Sequence, residues 1–189
     1  MTDDRIIWNN FKLGDKSALS QIYSQNIKML YRFGKKITRN DELIKDTIQE
    51  LFCDLIRTRK NLQSINNIKF YLIKSFRRKL LREIGSLKKT PFTDEFDEYS
   101  EVNIIYPFEE ELICKERRTQ REELILNALN EISPKQREIL YYRFTCEFEY
   151  EQICEIMSMK YDSARKMVHR ALTSLKAVLE SNFQLKDHQ

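Results

Sequence analysis

Glycine and proline are scarce in this chain, three of each among 189 residues. So few breakers make long helices the default expectation, and no segment reads as a strand. No apolar run approaches the roughly 18 residues that suggest a membrane helix, and the N-terminus shows no apolar leader region. The expectation is a soluble, cytoplasmic protein with no membrane insertion. The four cysteines, Cys53, Cys114, Cys146 and Cys154, include no C-x-x-C pair. A disulfide framework is therefore not expected. A zinc site from Cys146, Cys154 and His169 would lack the closely paired ligands such sites use, and buried thiols are the simpler reading. Only two histidines are present, His169 and His188, and there is no phosphate-cradling glycine loop. These absences argue against an enzyme, a metal, a cofactor or a small-molecule substrate.

Charge is plentiful and unevenly placed. A third of the residues are charged, yet the net charge is only +4. Residues 1–90 carry a net +11, residues 91–114 carry −8 with no Lys or Arg at all, and residues 115–189 carry +1. A basic first half, an acidic middle and a near-neutral end suggest different partners for different segments.

Apolar spacing divides the chain. Ile6, Ile7, Trp8 and Phe11 form a short helical pattern that stops at Gly14, and Asp15 is placed to cap the next helix. That helix carries Ala18, Leu19, Ile22, Tyr23, Ile27, Leu30, Tyr31 and Phe33 at intervals of mainly three and four, and ends around Gly34 to Thr38. Asn40 or Asp41 caps a third, whose buried face is Leu43, Ile44, Thr47, Ile48, Leu51, Phe52, Leu55 and Ile56. Residues 60–67 read as a polar loop, and a helix from about Ile68 to Glu83 halts near Gly85. Pro91, Pro107 and eight acids then mark an extended linker. Helix returns from Glu116. Ser133-Pro134 opens another, running to about residue 144. Two more, about 149–157 and 161–180, are separated by Ser158-Met159-Lys160, a helix-turn-helix candidate.

In the last helix Ala164, Met167, Val168, Ala171, Leu172 and Leu175 form an apolar stripe, and Asp162, Arg165, Lys166, His169 and Arg170 lie opposite. A cationic outer face suits the major groove, where Arg and Lys donate to guanine or neutralise phosphates. A solvated basic face has the same composition. The stretch Ile132-Ser-Pro-Lys-Gln-Arg-Glu, followed by Tyr150-Glu-Gln-Ile-Cys-Glu, resembles region four of sigma-70-type transcription factors. The resemblance implies that Asp162, Arg165, Lys166, His169 and Arg170 face the −35 promoter element, with Lys135 and Arg137 on phosphates. Ser158 stands where the family often has a turn glycine, and a left-handed backbone there costs about 1 kcal/mol. Lys160 replaces the usual capping residue, with Asp162 supplying first-turn negative charge. Response-regulator output domains share this module, so a free-standing helix-turn-helix regulator is the rival reading.

The N-terminal half separates the two readings. Asp46-Thr-Ile-Gln-Glu-Leu-Phe52 resembles the core of sigma region two. This implies that Asp46, Gln49 and Glu50 meet the β′ clamp helices of RNA polymerase, the spacing placing them on one helix face. Lys69, Lys74, Arg77, Arg78, Lys79 and Arg82 interleave with Phe70, Tyr71 and Phe76, as in strands of charge and rings that bind single-stranded DNA. The same aromatics could be core. The resemblance implies −10 reading by Leu62, Asn66 and Asn67 in the loop and by Lys74, Arg77 and Arg78 on the helix.

With about thirty residues between the two modules, the layout resembles the extracytoplasmic-function (ECF) group. The expected fold is all-α: a region-two domain over residues 1–88, an acidic linker over 89–115 and a region-four domain over 116–189. The expected partners are core RNA polymerase, through its β′ clamp helices and β flap, and promoter DNA. An anti-sigma factor is a further partner that the family often has.

Overall fold

The computed structural model describes residues 3–88, 104–105 and 120–186. Its helices are α1 (Asp4–Leu13), α2 (Lys16–Ile37), α3 (Asp41–Thr58), α4 (Ile68–Lys88), α5 (Gln120–Glu131), α6 (Pro134–Leu140), α7 (Tyr150–Met157) and α8 (Tyr161–Lys186). Among the described residues there is no strand, and no helix is long and apolar enough to cross a membrane. The chain forms two compact units, Met1–Ser100 and Glu101–Gln189. Of the expected linker, only Ile104 and Ile105 lie within the described residues, and Ile104 is fully buried.

The N-terminal unit uses the expected caps of α2 and α3, and Asp3 adds one for α1. Asp3, Asp15 and Asn40 each accept a hydrogen bond from a backbone N–H of the following first turn, at 3.0, 2.8 and 3.1 Å. Asn40, rather than Asp41, is thus the cap of α3. Gly14 closes α1 in the left-handed region, φ 96°, where a side chain would be strained. The core is Trp8, Ile22, Leu30, Phe33, Ile44, Leu72, Ile73, Phe76 and Leu80, all essentially inaccessible.

The other two glycines do not stop their helices. Gly34 lies inside α2 because the helices approach closely there: a Cβ would come within 2.8 Å of Ile44 and 3.2 Å of Phe76. Gly85 lies inside α4, which continues to Lys88. One interior glycine costs a helix about 1 kcal/mol, too little to end one already nucleated on a core.

In the C-terminal unit, Ser133 and Gln136 form a reciprocal capping box, each side chain bonding the other's backbone N–H at 3.3 and 3.1 Å. The same Gln136 amide donates to Ser174 Oγ at 2.9 Å, tying α6 to α8. α6 widens into one π-helical turn, Tyr141–Thr145. The chain then reverses through Glu147, which has a positive φ of 61°. The Tyr142 hydroxyl donates to buried Glu138 at 3.0 Å. α5 leans on α8, where Asn182 donates to Glu131 at 3.1 Å.

Candidate DNA and polymerase interfaces

α7 and α8 make the expected helix-turn-helix. Ser158 adopts the left-handed conformation, φ 51° and ψ 51°, that the family's glycine would adopt without strain. The turn is held by Met159 N–H donating to the Cys154 carbonyl at 3.1 Å. Tyr150 meets Tyr161 edge-on across it, at 5.5 Å. Arg143 braces the approach: it donates to the Phe148 carbonyl at 2.9 Å and its guanidinium lies 5.0 Å over the Tyr150 ring. Neither the tyrosine pair nor Arg143 was singled out by sequence reasoning, because each contact crosses a turn whose course the local pattern does not specify.

This frame holds α8 by Ala164, Val168 and Ala171, which are buried. Leu172, expected in the same stripe, is instead exposed. The outward face presents Asp162, Arg165, Lys166, His169 and Arg170 together, lining one shallow concavity of about 420 Å³. Four of the five side chains are basic in type, with Asp162 at the N-terminal end, where negative charge favours the helix dipole. Lys135 is exposed on α6. Arg137 is not: only 8% exposed, it donates to the Asn130 backbone carbonyl and to Asn130 Oδ1, at 3.4 and 3.3 Å. The expected phosphate contact gives way to a cation that ties α6 to α5.

In the N-terminal unit α3 has two faces of interest. Asp46, Gln49 and Glu50 are exposed. Glu50 and Asp54 share Lys79 of α4, at 3.4 and 2.7 Å. Lys79 keeps the Asp54 carboxyl below the usual aspartate range, chiefly by hydrogen bonding. On the side toward α2 runs an open groove of about 1000 Å³. Leu19, Tyr23, Ile27, Ile48, Phe52 and Ile56 supply its apolar lining, and Lys16, Lys28, Arg32 and Lys45 its charge. Gln49 and Cys53 also border it.

The loop before α4 and the helix itself carry the remaining candidates. Asn66 is exposed and Leu62 half-buried. Asn67 caps α4, its Oδ1 accepting from Phe70 N–H at 2.8 Å. Lys74 and Arg78, four residues apart, share an exposed face. Arg77 is 6% exposed, on the same side as Ile73, Phe76 and Leu80, so it is removed from the expected strand-facing set. Of the aromatics, Phe76 is core, while Phe70 and Tyr71 stay half-buried.

No group of His, Cys, Asp and Glu side chains that could hold a metal occurs among the described residues. Cys146 is buried and His169 points outward on α8. Burial pushes the Cys154 thiol up, and nearby Glu151 adds to that.

Among the described residues the protein is all-helical, with a cationic outward face on the second helix of a helix-turn-helix in one unit and an exposed charged face of α3 beside the basic α4 in the other. The comparisons narrow the class. Residues 22–90 match the family description Sigma-70 region 2, and residues 122–175 match Sigma-70, region 4. The chain belongs to the sigma-70 family. Among solved structures it is similar to that of CnrH in complex with the cytosolic domain of CnrY. That likeness has 14% identity and a TM-score of 0.60, covering 94% of this chain and 97% of that one. It is also similar to the sigma factor RpoE in complex with the anti-sigma factor NepR from Bartonella quintana, with 16% identity and a TM-score of 0.57, covering 85% and 96%. No curated protein matches the chain significantly.

Proposed function

We propose that this sigma factor binds core RNA polymerase and directs it to promoters by reading a −35 and a −10 element. The observation that carries the proposal is the gathering of Asp162, Arg165, Lys166, His169 and Arg170 on one exposed face of the recognition helix, within the matched region 4. Such a face meets intact duplex in the major groove, where each good bidentate contact discriminates by about 1–3 kcal/mol. Lys135 adds a phosphate contact, and each phosphate neutralised steepens the salt dependence of binding.

The −10 element is met as a separated strand. Leu62, Asn66 and Asn67 border the position of an extruded base, and Lys74 and Arg78 line the strand's backbone. Asn67 spends its side-chain oxygen on capping α4, which leaves its amide N–H groups to donate to a base edge. Asp46, Gln49 and Glu50 dock on the β′ clamp helices, and the β flap meets the C-terminal unit. No step requires a cofactor or a reaction catalysed by this chain itself.

An anti-sigma factor is a further proposed partner, since a similar structure is described as a complex with one. The α2–α3 groove suits a helix with an apolar face, and Gln49 on its border would be covered by such a partner.

The test is reconstitution: core polymerase with and without the chain, on genomic DNA, with transcript 5′ ends sequenced. Starts that share paired upstream elements and depend on the chain support the proposal. A tight footprint of the free chain, with no effect on polymerase starts, supports the free-standing regulator instead.

A further inference from the structure

We propose that α1 is a positioning device for −10 base selection: Trp8 and Asp4 pin the loop over residues 62–67 and the first turn of α4, without themselves touching DNA. The inference rests on the reading of that loop as the base-capturing element. α1 lies before the matched region, which begins at residue 22, so the family match assigns it no role.

The geometry is specific. Trp8 is fully buried, and its indole N–H donates to the Gln63 backbone carbonyl at 2.9 Å. Asp4 Oδ2 accepts the Ile68 backbone N–H at 2.8 Å, at the point where the loop becomes α4. These bonds span 55 and 64 residues of sequence. They bracket two of the three candidate base contacts, Asn66 and Asn67, and Leu62 immediately precedes the Gln63 anchor. Asn67 then caps α4 at Phe70 N–H. The Trp8 ring also packs on Tyr71 in the first turn of α4, 5.0 Å between centroids, and on Phe11 of its own helix at 5.5 Å. The far end of α1 passes the start of the loop: the nearest atoms to a Cβ built on Gly14 are those of the Arg59 guanidinium, at 3.8 Å.

A base-selecting pocket discriminates only if its donors and acceptors are held in place before the base arrives. A loose loop adapts to the wrong base and loses the difference. Here the loop backbone is fixed on one side by an indole donor and on the other by a carboxylate acceptor, both delivered by one short helix. The exposed Asn66 side chain and the capped Asn67 amide are thereby presented from a fixed backbone.

Three variants of the full chain, bound to core polymerase, test this. Trp8→Phe keeps an aromatic ring and removes the donor. Asp4→Ala removes the acceptor, and Asp4→Asn retains one. Strand opening is measured on promoter templates bearing each base in turn at the −10 position of strongest preference. Core affinity and closed-complex formation are measured alongside. A wrong base at a recognised position costs wild type about fivefold or more in discrimination. Trp8→Phe and Asp4→Ala should pull that ratio toward unity by about threefold or more, with core affinity and closed complex unchanged, and Asp4→Asn should keep most of it. Trp8 is the chain's single tryptophan, so its emission in the Asp4 variants shows whether α1 stays packed. The inference is overturned if both disruptive variants keep the wild-type ratio. It is also overturned if they lower core affinity, closed complex and opening together on every template, which is a folding defect. A wild-type protein with no base preference on the −10 strand would refute the reading of the loop itself.

Discussion

The ion pair between α3 and α4 should behave differently when cut from its two ends. Lys79 keeps only 15% of its side chain in water, whereas Asp54 keeps 39% and Glu50 60%. Asp54→Ala leaves a largely desolvated ammonium with Glu50 alone, at 3.4 Å. Breaking a fully buried pair from one end costs about 3–5 kcal/mol, and the partial exposure here reduces the expected loss to about 1.5–2.5 kcal/mol. Lys79→Met removes the buried charge and keeps an apolar stem of similar length. Its two carboxylates return to water, and Asp54 retains Arg57. The expected loss is about 1 kcal/mol or less. Urea unfolding followed by Trp8 emission measures both, because the one tryptophan is buried in the N-terminal unit.

Acid supplies the second arm. The folded-state carboxyl of Asp54 is depressed, so its contribution is present above the ordinary aspartate range and is lost as pH falls through the lowered value. The gap between wild type and Asp54→Ala should therefore narrow on acidification below that range. A larger loss in Lys79→Met than in Asp54→Ala, or a gap that widens in acid, would refute the reasoning.

Four further outcomes are expected. Ser158→Gly relieves about 1–2 kcal/mol of left-handed strain against about 0.4–1 kcal/mol of added unfolded-chain entropy, and should stabilise the C-terminal unit by about 0.5–1 kcal/mol in thermal unfolding. Gln49→Ala with Glu50→Ala should weaken core polymerase binding in a fluorescence titration, with native circular dichroism. Arg165→Ala should lower closed-complex formation with no rescue by a premelted bubble. Arg78→Ala should leave that complex nearly intact and slow opening, with much of the loss recovered on premelted DNA; stopped-flow opening on both templates separates the two, since only the strand-facing site acts after base pairs part.

Helical periodicity, with cap and breaker residues marking the ends, located the helices, because a stripe at intervals of three and four is a local property that packing then uses. The same rule placed the five outward residues of α8, whose opposite face is small and apolar. The family resemblance set Arg77 and Arg137 against DNA, yet both side chains are buried. Each is a cation at a helical position that the fold turns inward, and charge type says nothing about which face a neighbouring helix will cover. Gly85 looked like a stop and is not one. The expected end of α2, around Gly34 to Thr38, holds at Ile37, but Gly34 itself is a point of helix–helix approach, visible only when Ile44 and Phe76 are in place.

What the sequence by itself determined is the set of helices, most of their caps and the two family motifs, all written in short-range spacing. Only the tertiary structure decided which side of each helix is covered and which distant groups meet. Trp8 with Gln63, Asp4 with Ile68, and Lys79 with Asp54 are such meetings. They are separated by tens of residues, and no local pattern encodes them. They arise because burying the apolar stripes brings those backbones and side chains within hydrogen-bonding distance, where polar groups leaving water must find partners.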